Sequence, residues 1–87
     1  TSVGKNSIIN TGAIIDHDGD IGEHVHIGPG VTMSGNVTVG EHSLIGVGST
    51  IRQSITIGAN VTLGAGSVVV KDIADGVTAF GNPAKAI

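Results

Sequence analysis

Cysteine, tryptophan and tyrosine are absent from the 87 residues, and Phe80 is the only aromatic residue. Without cysteine the chain can form neither a disulfide framework nor a cysteinyl acyl-enzyme. Prolines number only two and glycine does not recur at every third residue, which excludes a collagen triple helix. Charge is also sparse. Only 13% of residues are charged and the formal net charge is −3, which argues against a nucleic-acid partner. Nor does the composition suit disorder: the hydrophobic fraction is 39%, whereas disordered chains are poor in Val and Ile and rich in charge. No apolar run approaches transmembrane length and no signal peptide is visible, so no membrane partner and a cytoplasmic location are expected. The first residue is Thr1 rather than Met, as in a processed or truncated piece of a longer chain. The length suits one small domain, and a core this short without aromatics implies help from other subunits.

What the chain has in excess is glycine, 15 residues, and a period. Counting in sixes from Val3 gives Val3, Ile9, Ile15, Ile21, Ile27, Met33, Val39, Ile45, Ile51, Ile57, Leu63 and Val69. All are aliphatic or Met, with no gap. At the observed hydrophobic fraction such a run arises by chance about once in a hundred thousand trials. Four residues after each stands a small or branched residue, from Ser7 and Ala13 through Ser67 and Ile73, and never a charged one. A helix needs a period of 3.6 and a plain strand a period of 2. A period of six suits a short strand followed by a turn.

A second layer recurs at eighteen residues, so three hexads make one triangular coil. On two faces the residue after the aliphatic is Gly4, Gly22, Gly40, Gly58, Asn10, Gly28, Gly46 or Gly64. Gly and Asn both tolerate left-handed backbone angles, so these positions are expected to mark turns. On the third face the same position holds Asp16, Ser34, Arg52 and Val70. The coils run Val3–Asp20, Ile21–Thr38, Val39–Thr56 and Ile57–Ala74, a stack about 19 Å tall at one strand spacing per coil. Residues 1–74 are thus expected to form the repeat domain, and residues 75–87 a short capping tail that begins at the Asp75-Gly76 turn signal.

This pattern resembles the parallel β-helix of the hexapeptide-repeat acyltransferases over residues 3–74. The resemblance implies an all-β, left-handed parallel β-helix of about four triangular coils. The left hand comes from the family, since spacing alone cannot fix it and it departs from the usual right-handed crossover. A narrow prism also accounts for the missing aromatics, because only aliphatic and small side chains stack inside it. An inert solenoid, serving as a trimeric scaffold, has the same repeat.

The run Gly66-Ser67-Val68-Val69-Val70-Lys71-Asp72-Ile73, followed by Gly81-Asn82-Pro83-Ala84-Lys85, resembles the end of many hexapeptide acetyltransferases. There it helps hold acetyl-CoA. The resemblance therefore implies that Lys71, Gly81, Pro83 and Lys85 contact the cofactor; Lys71 and Lys85 are two of only four cations, and CoA carries several phosphates. A simple cap closing the open end of the solenoid is the plainer reading, and both can hold.

Four histidines occur: His17, His24, His26 and His42. His17 lies in Asp16-His17-Asp18-Gly19-Asp20, on the face without glycine after the aliphatic, and belongs to an outward turn. A neighbouring carboxylate favours a charged imidazole and can hold one ring nitrogen, leaving the other to take a proton. An isolated Asp-His-Asp is more often a solvated turn. The wider pattern, Asp16-His17-Asp18, then Ile21-Gly22-Glu23-His24-Val25-His26, then Gly35-Asn36, resembles the bacterial nucleotide-sugar N-acetyltransferase and sialic-acid O-acetyltransferase branch. That resemblance implies His17 as general base, Asp18 as the residue that tunes it, the Gly35 N–H as oxyanion donor, and His26 at the thioester. Relatives often have Glu where Asp18 stands. Gly35 is eighteen residues after His17, one coil away.

His24 and His42 are also eighteen apart and are expected to stack as surface turn residues. A zinc site of the γ-carbonic-anhydrase kind is the rival reading, but its two histidines five residues apart are missing; the spacings here are seven, two and sixteen. No metal is expected beyond adventitious binding at His24 and His42. The resemblance further implies a homotrimer with active sites between subunits, acetyl-CoA lying against Gly46, Val47, Gly64, Ala65 and Gly66, and a sugar or nucleotide-sugar acceptor attacking the thioester directly. In that branch a nucleotide-binding domain usually precedes the β-helix, and these residues contain no counterpart.

Overall fold

The computed structural model describes all of residues 1–87. The chain is all β: Ser2–Val3 (β1), Ile8–Ile9 (β2), Ile14–Ile15 (β3), Asp20–Ile21 (β4), His26–Ile27 (β5), Thr32–Met33 (β6), Thr38–Val39 (β7), Leu44–Ile45 (β8), Thr50–Ile51 (β9), Thr56–Ile57 (β10), Thr62–Leu63 (β11), Val68–Val69 (β12), Thr78–Gly81 (β13) and Ala84–Ala86 (β14). They form three sheets, the faces of a triangular prism: β1-β4-β7-β10 on the first face, β2-β5-β8-β11-β13-β14 on the second and β3-β6-β9-β12 on the third. The first twelve strands pair in parallel at a register of eighteen, as in Ile9 with Ile27 and Ile27 with Ile45. This is the parallel β-helix that the six-residue period predicts. No helix is long and apolar enough to cross a membrane.

The aliphatic column fills the prism. Ile21, Ile27, Met33, Ile45, Ile51, Ile57 and Leu63 are all buried at 1% exposure or less. Between them stand the corner residues Val25, Val31, Val37, Ile55 and Val61, also buried. Where a corner position is serine, its hydroxyl is paired: Ser43 donates to the Gly58 carbonyl at 2.7 Å and accepts from the Val61 N–H at 3.0 Å. That pairing removes the cost of a polar group in an apolar interior.

The left-handed backbone position falls elsewhere than expected. It is the third residue after each aliphatic: Asn6, Gly12, Asp18, His24, Gly30, Asn36, His42, Gly48, Ser54, Asn60 and Gly66 all have φ between 56° and 74°. Asn, Asp and His are the residue types most often found there besides Gly. The glycines directly after the aliphatic are needed for a different reason, close approach. A Cβ on Gly40 would lie 2.5 Å from the Ala59 nitrogen, and one on Gly46 would lie 2.6 Å from the Ala65 nitrogen.

The stack ends differently at its two extremities. In the first coil the inward residues Val3 and Ile9 remain 48% and 37% exposed. At the other end the coil continues past residue 74. Ile73 bridges Ile57, and β13 pairs with β11, placing Ala79 beside Leu63; both steps span sixteen residues rather than eighteen. The Asp72 and Asp75 carboxylates accept the Thr56 and Ala59 N–H groups at 2.8 and 2.9 Å. The strand β14 then folds back antiparallel on β13. The segment expected to cap the prism therefore both extends it and satisfies its last amides.

Candidate active site

Each turn of the prism, except that at Pro29, has one donor that the stack does not use. The first and third corner residues donate along the stack, as Ser34 does to Ile51 and Asn36 to His17, but the second residue's N–H has no backbone partner. On the corner between the third and first faces, that second residue is His17, then Gly35, then Gln53, one coil apart. His17 meets its own need locally: its N–H donates to Asp16 Oδ1 at 2.7 Å, and the same oxygen accepts from its ring Nδ1 at 3.1 Å. These two hydrogen bonds, the backbone one foremost, hold the Asp16 carboxyl below the usual carboxylate range. With Nδ1–H donated to Asp16, Nε2 is the ring nitrogen left with a free lone pair.

The ring packs against Gly35. A Cβ at that residue would sit 2.6 Å from both Cε1 and Nε2 of His17. Gly35 is buried, and its N–H donates to no group of the chain. The corner thus brings together a basic ring nitrogen and an unpaired amide, one coil apart. Asp18, the carboxylate expected to tune the ring, is not the one that contacts it. Asp18 adopts the left-handed turn conformation at φ 57°, while Asp16 makes both contacts with His17.

His26 projects from the second face, with Ile8 and Leu44 as its neighbours on either side. Its Nε2 accepts from the Asn10 amide at 3.0 Å, which leaves the proton on Nδ1. Asn10 is the single exception in its column of glycines, and that exception was the sequence signal for the contact. On the corner between the second and third faces, the N–H groups of Val47 and Ala65 are the unpaired donors. Around them are Gly46 and Gly64, which admit close backbone approach, and Gly48 and Gly66, at φ 71° and 70°. Val47 is 51% exposed. In the tail, Gly81 donates its N–H to Ser67 Oγ at 3.2 Å, Pro83 follows a cis peptide bond, and Lys85 pairs across from the exposed Phe80. Lys71 and Lys85 are exposed and enter no ion pair.

His24 and His42 stack with ring centroids 4.9 Å apart and planes 10° apart. No three His, Cys, Asp or Glu side chains converge where a metal ion could be held.

The decisive likeness is to the repeat itself. The family described as bacterial transferase hexapeptide (six repeats) matches residues 18–53, and the hexapeptide repeat of succinyl-transferase matches residues 36–71. The chain belongs to the hexapeptide-repeat family. Among solved structures, this hexapeptide-repeat chain is similar to perosamine N-acetyltransferase from Caulobacter crescentus in complex with CoA and GDP-perosamine. That likeness has 46% identity over 98% of this chain and 40% of that one, with a TM-score of 0.97. The acetyltransferase domain of PglB from Neisseria gonorrhoeae, in complex with acetyl coenzyme A, is 48% identical over 98% and 44%, at 0.91. A maltose O-acetyltransferase from Clostridium difficile is 35% identical over 98% and 56%, at 0.92. The chain therefore spans about two fifths of the length of the first two. A search of curated proteins finds no match.

Proposed function

We propose that this β-helix is the catalytic part of an acetyl-CoA-dependent acetyltransferase whose acceptor is an amine or hydroxyl of a sugar or nucleotide sugar. The observation that carries the reading is the packing of His17 on Gly35, with Nδ1 held by Asp16 and the Gly35 N–H unpaired. A thioester supplies an acetyl group already activated for attack. The chain must then supply a base, an oxyanion donor and a binding surface. His17 Nε2 takes the proton of the attacking amine or hydroxyl, and Asp16 fixes the tautomer and stabilises the imidazolium that forms. The Gly35 N–H meets the developing oxyanion. Asp18 shapes the turn that presents the ring, and His26 offers Nδ1–H toward the thioester region.

The donor surface fits acetyl-CoA. The pantetheine arm is a chain of amides, and the unpaired N–H groups of Val47 and Ala65, flanked by Gly46, Gly64 and Gly66, offer donors that a carbonyl can reach. Lys71 and Lys85, with the Gly81-Asn82-Pro83 turn, provide cations and a rigid bend farther along for the phosphates. Val47 and Ala65 lie on a different corner from His17, although Lys71 shares the His17 corner, and a single copy encloses no pocket. A homotrimer resolves this by setting the His17 corner of one copy against the glycine corner of the next, as the chain's need for subunit contacts also suggests.

Acetyl-CoA binding by calorimetry, together with CoA release in the presence of amino sugars, tests the reading on the full chain. Replacing His17 by Ala is expected to lower turnover by about two to four decades while leaving the oligomer and acetyl-CoA binding intact. Normal turnover in H17A overturns the assignment. A trimer that binds no acetyl-CoA returns the chain to the scaffold reading.

A further inference from the structure

The corner that carries His17 holds more side chains than this reaction uses. Strand register stacks Thr50 on Thr32 and Thr32 on Ile14, so Asp16, Ser34 and Arg52 follow one another along the edge. Arg52 is the only arginine in the chain, and it is exposed. The ion pairs of the chain are Lys5 with Glu23, His17 with Asp16 and His42 with Glu41. Arg52 has no part in them. The nearest carboxylate on its own column, Asp16, is two coil steps away, about 10 Å, and is engaged by His17. The next coil up the same corner carries Lys71, which adds positive charge rather than neutralising it. Carboxylates Asp16 and Asp18 thus stand at the level of the base, while beyond Gly35 the edge carries Arg52 and Lys71, with the adjacent Asp72 accepting the Thr56 N–H at 2.8 Å.

We propose that Arg52 binds an anionic group of the acceptor, a phosphate or a carboxylate, held about one sugar ring away from the atom that His17 deprotonates. The inference rests on the acetyltransfer reading above and names its substrate class: sugar phosphates, nucleotide sugars or acidic sugars, rather than neutral sugars. The backbone of Arg52 stands one coil step beyond Ser34-Gly35, about 5 Å, a span that a pyranose bridges. Its guanidinium presents paired N–H groups in the geometry that phosphate and carboxylate oxygens accept. The phosphates of acetyl-CoA lie at the far end of the pantetheine arm, well beyond one coil step from the thioester, where Lys71 and Lys85 stand. Arg52 thus stands one coil step nearer the thioester than Lys71.

Steady-state kinetics with acetyl-CoA and three acceptors, glucosamine 1-phosphate, methyl glucosaminide and glucosaminuronic acid, test this. The unaltered protein is expected to favour at least one anionic acceptor over the neutral glycoside by about tenfold or more in kcat/KM. Arg52→Gln is expected to raise KM for that acceptor by about tenfold to a hundredfold. Its kcat, its KM for acetyl-CoA and its activity on the neutral glycoside are expected to hold. Arg52→Lys is expected to restore part of the loss. Whichever anionic acceptor suffers more identifies phosphate or carboxylate as the group bound. Equal use of neutral and anionic acceptors by the unaltered protein overturns the inference and leaves acetyl transfer standing, as does an R52Q defect confined to KM for acetyl-CoA. Failure of the unaltered protein to acetylate any acceptor, sugar or otherwise, overturns both.

Discussion

Two corners of the same prism have the same backbone and opposite chemistry. The corner between the third and first faces presents side chains: Asp16, His17, Asp18, Ser34, Asn36, Arg52, Gln53 and Ser54. The corner between the second and third faces presents main chain: Gly12, Gly28, Gly30, Gly46, Gly48, Gly64 and Gly66, with unpaired N–H groups at Val47 and Ala65. One edge presents an imidazole and charged side chains, the other a bare surface of amides. The repeat fixes the scaffold, so each edge is free to vary in the residues the core does not use. A glycine on the two edges consequently guards different things, which allows the comparison to be broken experimentally.

The largest effect is expected at the side-chain edge. H17A removes the proposed base, and the loss of two to four decades in turnover described above should come with no loss of stability, since the ring is exposed. Gly35→Ala should come next. The nearest atoms to its new Cβ belong to the ring of His17, at 2.6 Å, and an exposed ring can swing aside. The fold is therefore expected to hold while kcat falls by about a hundredfold, because the base and the amide lose their mutual placement. A melting temperature that drops several degrees with activity retained would invert the roles assigned to this glycine.

At the main-chain edge the same substitution should do the reverse. In Gly46→Ala the Cβ meets backbone, with the Ala65 nitrogen at 2.6 Å, and backbone in a hydrogen-bonded stack cannot swing aside. A loss of about 1–3 kcal/mol is expected, seen as a fall in melting temperature of roughly 4–8 °C per kcal/mol for a domain of this size. An unchanged melting temperature would break the argument from close approach.

The period was legible in the sequence because each interior position admits only aliphatic or small residues, so the pattern survives every coil. The roles of the glycines were not, because glycine serves two needs with one letter. Gly46 avoids a clash, and Gly48, two residues later, adopts a left-handed angle. The column Asn6, His24, His42 and Asn60 held the clue, since those residue types share only the left-handed turn. The short final coil was hidden for a similar reason. Ile73 fits the small-or-branched column after Val69 as well as it fits its actual place beside Ile57. His17 was singled out as the proposed base by resemblance, whereas its hydrogen-bond partner was not fixed. With Asp16 and Asp18 on either side of His17, only the local backbone geometry decides that Asp16 makes the contact.

The smallest effect is also the most selective probe of the main-chain edge. Val47→Pro removes one N–H and leaves the strand ladder untouched, because that N–H has no partner in the chain. Proline is already accommodated at the equivalent position one coil below, where Pro29 follows Gly28 as Val47 follows Gly46. Its ring would extend into solvent, since Val47 is half exposed. Stability is therefore expected to change by no more than about 0.5 kcal/mol. If the amide binds the pantetheine arm, the loss of one hydrogen bond should weaken acetyl-CoA by about 0.5–1.5 kcal/mol, roughly twofold to tenfold in Kd by calorimetry. The acceptor KM should not move, because the proposed acceptor contacts are on the other edge. An unchanged Kd for acetyl-CoA in V47P would detach the donor from this corner and leave its glycines with a purely structural role.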